Sequence, residues 1–506
     1  MKLKTANVIA VLGFTLLGVA LILAAMIGVL FIFPQISIFG AKSVNERDTE
    51  IIYADSALET AFTTGNFILE SSTCKFVVRM STAGYIGEGT IIVHESATGI
   101  AFNSLSRTLV EWTSTLVDDV PYLKIKVLEP NGIVFNQKPT IVYLNLNSQA
   151  SLHNFILQNG YSDVSFEFGD QIEDTENQLH IDQLVVKSAA AVTIPSYKTM
   201  DINSVKILSN HTNFVCGANV NQDVLVDGYR GTQNFTAPIA GDVKVYGNQN
   251  AFRAYNAGNV DYLNENGSLA LNDVKRLNVK TSMANITLRS ASAGIKMSTV
   301  SGSLSASTIS DGGLDFQSTG TGAVTISQAL VGNVQVRHTG KGSTSLSGVA
   351  GNVDIESMEI DGGGIYVSYV GQKSYSTKIR GYDGNINVYN IFGATDIRVR
   401  DSGPSGAAGR ANINVTFNRI TADDNWLVTG GYVGYTGIGN ITVGLNEGWC
   451  SFDLYIYAAT QARDYSSGHN GTMFTNRDDT PNEIDWGSDK IKGKLTVSTP
   501  SSFILR

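Results

Sequence analysis

The sequence predicts a mainly β protein. An N-terminal transmembrane helix is followed by a β-rich domain and a β-solenoid-like stack of short strands, with about ten residues in each rung. A long apolar segment lies close to the N-terminus. Hydrophobic and polar residues then alternate with a period of two, which is typical of strands with one buried face. Glycine, asparagine and aspartate recur between these strands at a nearly constant spacing, as tight turns require.

The amino-acid composition and net charge argue against one class of binding partner, nucleic acids. The chain has 506 residues, 51 of which are glycine, and only 16% of its residues are charged. Its formal net charge at pH 7 is -9, whereas a nucleic-acid-binding protein presents a basic face. We therefore expect no nucleic-acid partner.

The apolar segment covers residues 8–33, and no charged residue lies between Lys4 and Lys42. As a helix it would be roughly 39 Å long, which exceeds the ~30 Å hydrocarbon core of a bilayer. The lysines before it place residues 1–7 in the cytoplasm by the positive-inside rule. We expect a single-pass plasma-membrane protein with an extracytoplasmic bulk, whose partner through residues 8–33 is the lipid bilayer. A cleaved signal peptide is the alternative.

The repeat is defined by the hydrophobic residue that follows each turn. Along the chain these residues are Ile286, Ile295, Leu304, Leu314, Val324, Val334, Thr344, Val353 and Ile365. Turn sequences such as Asp311-Gly312-Gly313 supply the positive φ that tight turns need. One rung buries too little apolar surface to be stable, so the repeat predicts rungs stacked around a continuous core. A β-sandwich, with strands at similar intervals, is the alternative fold.

Several rungs share a sequence pattern that resembles that of a known family. The rungs GNVQVRHTG, GNVDIES and GNINVYN, with the ending GKLTVSTPSSFILR, resemble the bacterial putative-adhesin family. The resemblance covers roughly Val243–Gly393 and the last strand, Gly493–Arg506. It implies a Gly-rich, repetitive β-domain on the cell surface behind a single membrane anchor. It supplies no catalytic residues.

Changes of pattern along the chain predict six segments. Irregular strand patterns begin after the apolar segment, regular rungs follow, and the pattern loosens near the C-terminus. The segments are a cytoplasmic tail (1–7), a transmembrane signal anchor (8–33), a juxtamembrane segment (34–65), a β-rich membrane-proximal domain (66–200), β-solenoid repeats (201–418) and a C-terminal β region that closes the stack (419–506).

No motif in the sequence specifies catalysis or cofactor binding. Neither a P-loop nor a GxSxG motif occurs, and the SxxK match at Ser72–Lys75 lies in a strand-like stretch without the helical turn that would activate the serine. The histidines are scattered without metal-ligand spacing, so we expect no metal and no other cofactor. Cys74, Cys216 and Cys450 are far apart, and their pairing is left open.

The outward positions of the rungs bear on whether the protein is an enzyme. With two strands in each coil, Asp315, Gln335 and Asp354 would stack in that order. Neither this register nor one with three strands puts two carboxylates on adjacent rungs, so the simplest acid–base pair is missing. We expect a non-enzymatic protein. A carbohydrate-active β-helix enzyme with a site built from loops is the alternative.

Tyrosines are the candidate binding residues. The alternation points Tyr366 and Tyr389 outward, and Tyr432 and Tyr435 lie in the Gly-rich stretch GGYVGYTGIGN. An exposed tyrosine offers a flat apolar face and a hydroxyl, which suit surface glycans or protein partners. Sequons occur at a frequency expected by chance, and three are expected to face outward, at Asn285, Asn414 and Asn440.

These observations together predict a membrane-anchored cell-surface protein that displays its stacked strands for adhesion or ligand binding. A structural envelope scaffold, which would self-associate and bind no foreign ligand, is a further alternative.

Overall fold

The protein is described by a computed structural model in two compact units, Met1–Gln222 and Asp223–Arg506. The described residues are 2–32, 42–44, 49–53, 65–71, 74–80, 89–95, 98–101, 107–114, 121–128, 132–135, 140–146, 149–160, 163–168, 178–196, 200–358, 363–370, 375–382, 384–399, 411–417, 431–435, 439–445, 452–457, 461–466, 471–474, 481–484, 493–499 and 501–506.

The helix α1 runs from Lys2 to Ile32 and contains residues 8–32 of the predicted apolar segment, so the N-terminal apolar helix is confirmed. Its span Ala10–Val29 has a mean hydropathy of 2.6, and none of it is buried against the rest of the chain. Apolar side chains are exposed around the helix, and Phe14 is 75% exposed. A helix without a polar face has no favourable contact with water. Its length and composition suit a membrane anchor or a signal peptide.

The strands of the first unit are short and follow one another closely. They are β1 (Lys42–Val44), β2 (Thr49–Tyr53), β3 (Asn66–Glu70), β4 (Lys75–Met80), β5 (Thr90–Glu95), β6 (Thr98–Ala101), β7 (Arg107–Ser114), β8 (Pro121–Leu128), β9 (Gly132–Phe135), β10 (Ile141–Leu146), β11 (Gln149–Gln158), β12 (Asp163–Phe168), β13 (Gln178–Ser188), β14 (Ala191–Ile194), β15 (Met200–Ile207), β16 (Asn213–Cys216) and β17 (Asn219–Val220).

From β11 onward, each strand of the first unit pairs in parallel with the strand two positions later. One sheet contains β11, β13, β15 and β17, and the other contains β12, β14 and β16. The chain therefore coils, with two strands in each turn. The predicted boundary between 66–200 and 201–418 stays a prediction, and β15 spans it while pairing in parallel with β13.

In the first unit, the rung formed by β3 and β4 lies between two rungs that come later in the chain. β3 and β4 pair in parallel with β11 and β12, but they also pair in parallel with β8 and β10, which come later in the chain. The rung formed by β8 and β10 is then covered by antiparallel strands. β7 pairs with β8, while β5 pairs with β10 and with β2. These antiparallel partners cover edges that would otherwise expose unpaired backbone groups.

The second unit continues with strands of similar length, apart from two long ones. They are β18 (Val224–Tyr229), β19 (Thr232–Phe235), β20 (Val243–Asn248), β21 (Asn250–Asn264), β22 (Gly267–Thr281), β23 (Asn285–Ala291), β24 (Ile295–Thr299), β25 (Leu304–Ile309), β26 (Leu314–Ser318), β27 (Val324–Val331), β28 (Val334–His338), β29 (Thr344–Ala350), β30 (Val353–Ser357), β31 (Ile365–Tyr369), β32 (Thr377–Gly381), β33 (Ile386–Ile391), β34 (Thr395–Val399), β35 (Ile413–Phe417), β36 (Gly431–Tyr435), β37 (Ile441–Leu445), β38 (Phe452–Tyr457), β39 (Gln461–Asp464), β40 (Thr472–Met473), β41 (Asn482–Ile484), β42 (Gly493–Ser498) and β43 (Ser502–Leu505).

Parallel pairing divides the regular strands of the second unit between two sheets. Sheet A contains β23, β25, β27, β29, β31, β33, β35 and β37, each paired with the next. Sheet B contains β24, β26, β28, β30, β32, β34 and β36 in the same way. The predicted class of short stacked β-strands behind an apolar helix is confirmed, and the coil has two strands per turn.

The core of the second unit consists of columns of inward side chains. In sheet A, Ile286 aligns with Leu304, Leu304 with Val324, and Val324 with Thr344. All nine residues of the predicted repeat series are buried. Successive members alternate between the two sheets, so one full coil covers two steps of the series. The period-two pattern therefore identified the core correctly.

The turn at Asp311-Gly312-Gly313 shows why glycine recurs in the repeats. Gly312 and Gly313 have φ of 79° and 73°, in the region where side chains are disfavoured. A Cβ at Gly313 would also collide with the backbone of Asn333 in the neighbouring turn. Glycine at this turn satisfies both the local backbone and the close approach of stacked coils.

The C-terminal strands do not form the outermost rung of the second unit. β42 lies between β36 and β38, and β43 lies between β37 and β39. The outer rung is β38 and β39, which precede them in the chain. Short antiparallel strands cover it, with β41 on β38 and β40 on β39.

Removal of residues 471–484, which contain β40 and β41, should cause self-association of the chain. The deletion exposes the hydrogen-bonding edges of β38 and β39, and an uncovered edge pairs with another copy. We expect larger, concentration-dependent species in light scattering than the intact chain gives in the same detergent. Deletion of the Gly/Ser-rich residues 401–410, which lie outside the described residues, is the matched control and should leave the size unchanged. Two deletions of the same apparent size would contradict a capping role.

Candidate functional site

Sheet A presents an outward surface without charge from β25 to β37. We call this surface the uncharged face. Its residues are Ser305, Ser307, Thr325, Ser327, Ser345, Ser347, Tyr366, Ser368, Asn387, Tyr389, Asn414, Thr416 and Thr442. All of them alternate with buried core residues on the same strands, so their outward direction follows from the pleat of the strand.

Sheet B presents the opposite composition from β24 to β34, and we call that surface the charged face. Its outward residues are Lys296, Ser298, Asp315, Gln317, Gln335, Arg337, Asp354, Glu356, Lys378, Arg380, Asp396 and Arg398. Only the outward residue between each pair of inward residues could be assigned from the period-two pattern of the rungs. The second outward column, which contains Arg337 and Glu356, was missed.

The charges of the charged face pair with one another across neighbouring strands. The side chain of Lys296 lies 3.6 Å from that of Asp315. Arg337 lies 2.7 Å from Asp354 and 3.6 Å from Glu356. Asp315 and Asp354 flank Gln335 in register, as predicted for two strands per coil. Each exposed pair contributes about 0–1 kcal/mol, so these ladders mainly keep the surface soluble and its register fixed.

Tyr366 and Tyr389 meet on the uncharged face. Tyr366 aligns with Asn387, and Tyr389 aligns with Ser368, so the two tyrosines occupy neighbouring strands and adjacent columns. Their ring centroids are 5.6 Å apart and the rings are tilted by 47°. Tyr366 is 37% exposed. The pair forms a partly exposed aromatic spot within a surface of hydroxyl and amide groups.

Several polar groups around this aromatic spot keep hydrogen-bonding capacity that neighbouring strands do not use. In the described part of the chain, the hydroxyls of Ser345, Ser347 and Thr416 make no internal hydrogen bond. Asn414 donates from Nδ2 to Oδ1 of Asn387 over 2.9 Å, which fixes the orientation of both amides. Asn387 therefore keeps its own Nδ2 donor group, and Asn414 its Oδ1 acceptor.

The other two predicted tyrosines belong to sheet B. β36 aligns Tyr432 with Asp396 and Tyr435 with Val399. The backbone therefore does not bring them to Tyr366 and Tyr389, and their side chains lie outside the described ones. A binding role for any of the four tyrosines stays a prediction.

The three predicted sequon asparagines differ in exposure. Asn285 and Asn440 are exposed, whereas Asn414 is half-buried. Asn440 accepts from Ser502, and Asn414 donates to Asn387, so both are engaged by neighbouring strands. Glycosylation of these residues stays a prediction.

A polar cluster on the first unit escaped the sequence reasoning, which treated the histidines as scattered. His153 Nδ1 lies 2.6 Å from Asp182 Oδ2. His180 contacts Asp182 through Nε2 at 2.8 Å and Asp201 through Nδ1 at 2.9 Å. Coiling brings residues from β11, β13 and β15 to one surface. The His-x-Asp spacing on β13 was the available signal, because residues two apart share a face of a strand.

Burial and the contacts within this cluster shift the pKa values of its members in opposite directions. Burial by itself lowers the pKa of His180, but hydrogen bonds to Asp182 and Asp201 and the charges of both carboxylates outweigh it and raise that pKa. The contact with His153 lowers the pKa of Asp182. Both ring nitrogens of His180 face carboxylates, so its protonated form is favoured. Among the described residues, no group of His, Cys, Asp and Glu is placed to hold a metal ion.

His338 is buried in the second unit and has a depressed pKa. It aligns with Ser318 and Ser357 in an inward column, and its Nε2 lies 2.9 Å from Thr344 Oγ1. Burial lowers the pKa of His338 to about 4. The neutral ring therefore belongs to the core rather than to a surface site.

The two described cysteines, Cys74 and Cys216, are buried thiols. Burial raises the pKa of both Cys74 and Cys216 to about 12, so neither is a reactive thiolate at neutral pH. Cys450 and Ser72 of the SxxK match lie outside the described residues.

Comparisons with known proteins give no family assignment. No protein-family model matches the chain, and no curated protein matches it. The chain is similar to a solved "putative cell adhesion protein" from Clostridium sporogenes ATCC 15579, at 8% identity and a TM-score of 0.15, covering 91% of this chain and 99% of that one. It is also similar to a "putative adhesin" from Parabacteroides merdae ATCC 43184, at 13% identity and a TM-score of 0.24, covering 60% and 96%. Likenesses at these TM-scores carry no argument about function.

Acid should destabilise the chain through His338. Because the folded-state pKa is below the unfolded value of 6.5, the stabilisation is present above pH 6.5 and is lost as pH falls toward about 4. The lost free energy of unfolding is roughly 3 kcal/mol. In urea unfolding of the full chain in detergent, H338S should flatten this part of the pH dependence, because serine already occupies the neighbouring positions of the column. The exposed His211 provides the control, H211S, which should keep the slope. An unchanged slope in H338S would refute the assignment.

Proposed function

We propose that this protein is a non-enzymatic cell-surface protein, that α1 anchors it in the lipid bilayer, and that the uncharged face binds an external ligand. The main support is the difference in charge between the uncharged face and the charged face of the second unit. One face is covered by paired charges, whereas the other presents hydroxyls, amides and the Tyr366–Tyr389 pair.

The contrast supports binding because charged and uncharged surfaces differ in the cost of covering them. Covering an ion pair removes two charges from water, and the attraction between them often fails to offset that cost. Covering a hydroxyl costs less and can be offset by one new hydrogen bond. Sheet B carries charges that keep it soluble, whereas sheet A carries none on its outward positions from β25 to β37. The uncharged face is therefore the surface better suited to contact with a ligand.

The stacked register supports adhesion in particular. Parallel pairing repeats the same outward position on every second strand, for example at Ser305, Thr325 and Ser345. Several weak contacts with a repetitive ligand then act together, so that the combined binding exceeds any single contact. Such a mechanism requires no catalytic group, only a rigid scaffold that holds the contacts in line.

The anchor is supported by the helix and its flanks. The span Ala10–Val29 is apolar on all sides and unburied, and Lys2 and Lys4 precede it. In a bilayer its exposed side chains, such as that of Phe14, would contact acyl chains instead of water. The positive-inside rule then leaves the strands outside the cytoplasm.

Protease treatment of intact cells tests the location. With a tag at each end of the full chain, the C-terminal tag should be lost while the N-terminal tag and a cytosolic control protein survive. The chain should also remain in the membrane fraction at high salt and leave it only in detergent. Protection of the C-terminal tag until the membrane is broken would contradict the proposal, as would release of the chain by cleavage after α1.

A single charge placed on the uncharged face tests the binding surface without knowledge of the ligand. S345R introduces a charge that any ligand covering sheet A must desolvate, so binding to an array of immobilised glycans and matrix proteins should fall about tenfold or more. Q335R on sheet B is the matched control, since Asp315 and Asp354 flank Gln335 and would pair with the new arginine. Equal effects of the two variants would remove the uncharged face from the proposal.

A further inference from the structure

The Tyr366–Tyr389 pair restricts the chemistry of the ligand that the uncharged face would take. The two rings lie side by side on neighbouring strands, 5.6 Å apart and tilted by 47°. A ligand that stacks on both rings must present two successive apolar faces that are inclined to each other, as the two rings are. The pyranose rings of an extended glycan do this, because each ring has an apolar face of C–H groups and a twist relates it to the next.

The groups around the tyrosines match the edges of such rings. Ser345 aligns with Tyr366, and Tyr389 aligns with Ser368. Hydroxyls and amides both donate and accept, which suits the mixed hydroxyl groups of a sugar. The fixed amide pair of Asn387 and Asn414 supplies an oriented donor beside Tyr366. Because the face has no charge, it has no group that would select a carboxylate, sulfate or phosphate.

The spacing of the strands matches a polymer rather than a single sugar. Neighbouring strands of a sheet lie about 4.8 Å apart, which is close to the rise of one hexose in an extended glycan chain. A chain running across the strands of sheet A would therefore meet one strand, with its outward side chains, for each sugar residue. Ser305, Thr325 and Ser345 form a column of hydroxyls, one on each of three neighbouring strands, and this column continues in register to Tyr366.

We propose that the uncharged face binds a neutral polysaccharide, with the glycan chain lying across the strands of sheet A and two successive sugar rings stacked on Tyr366 and Tyr389. This inference rests on the proposed binding function of that face and adds the ligand class. Tyr366 and Tyr389 provide stacking, and the serine, threonine and asparagine columns provide hydrogen bonds. Binding of this kind depends little on salt, since no ion pair forms.

Affinity electrophoresis of the full chain in detergent tests the ligand class. The probes are a soluble β-glucan, a mannan and a galactan, with a polyuronate and a sulfated polysaccharide as charged comparisons. We expect at least one neutral probe to retard the chain, and to do so equally at low and high salt. The charged probes should cause no retardation at high salt. Longer oligosaccharides of the same glycan should bind more tightly until they span the face.

Substitutions then locate the binding. Y366A and Y389A should each weaken binding of the neutral probe about tenfold, whereas Y366F should retain most of it because the ring is kept. Tyr255 is also exposed, at 48%, but lies on β21 outside the uncharged face, so Y255A is the matched control and should bind normally. Equal losses in Y366A and Y255A would overturn the inference, and so would retardation by charged probes alone.

The outcomes separate this inference from the proposed function. If no neutral polysaccharide binds but S345R still abolishes binding to a protein on the array, the ligand class is wrong and the binding face remains. If the chain binds only a second copy of itself through the face, the ligand class is also wrong. If S345R changes no interaction at all, the proposed function itself fails.

Discussion

Parallel pairing between strands two positions apart in the chain, which prevails in the regular part of each unit, is the constraint on which the rest of this structure depends. It aligns inward residues into columns, so that Ile286, Leu304 and Val324 form one continuous core. It aligns outward residues in the same way, because successive side chains on a strand point to opposite faces. Once that register is set, the composition of an entire surface depends on which residue types occupy a few repeated positions. The uncharged and charged faces of the second unit both follow from it.

A stack of parallel strands leaves an unpaired edge at each end, and the two units cover theirs by the same arrangement. In the first unit, β3 and β4 lie inside a later rung of β8 and β10, which β7 and β5 cover in antiparallel pairing. In the second unit, β42 and β43 lie inside an earlier rung of β38 and β39, which β41 and β40 cover. In both units, the outer rung pairs in parallel with strands from another part of the chain. Antiparallel strands then occupy its outer edge, so that edge has fewer unpaired backbone groups with which another copy of the chain could pair.

The distribution of charge gives the two sheets of the second unit different surface chemistry. Ion pairs such as Lys296–Asp315 and Arg337–Asp354 neutralise one another on sheet B, so that sheet is soluble without strong attraction for a charged partner. From β25 to β37, sheet A presents hydroxyls, amides and the two tyrosines in place of charges, so these strands interact with water through neutral hydrogen-bonding groups. The first unit places a third arrangement on its surface, where the carboxylates of Asp182 and Asp201 raise the pKa of His180.

The sequence by itself determined the features that depend on neighbouring residues. The apolar helix, the buried repeat positions, the outward direction of Tyr366 and the turn at Gly312 and Gly313 all follow from local periodicity and backbone preference. Only the tertiary structure decided which outward residues meet. The contact of Tyr366 with Tyr389, and of His153 with Asp182, depends on two strands per coil and on the length of each intervening turn. The insertion of β42 between β36 and β38 was equally out of reach, because pairing between distant segments is selected by the packing of the whole stack rather than by the residues of one strand.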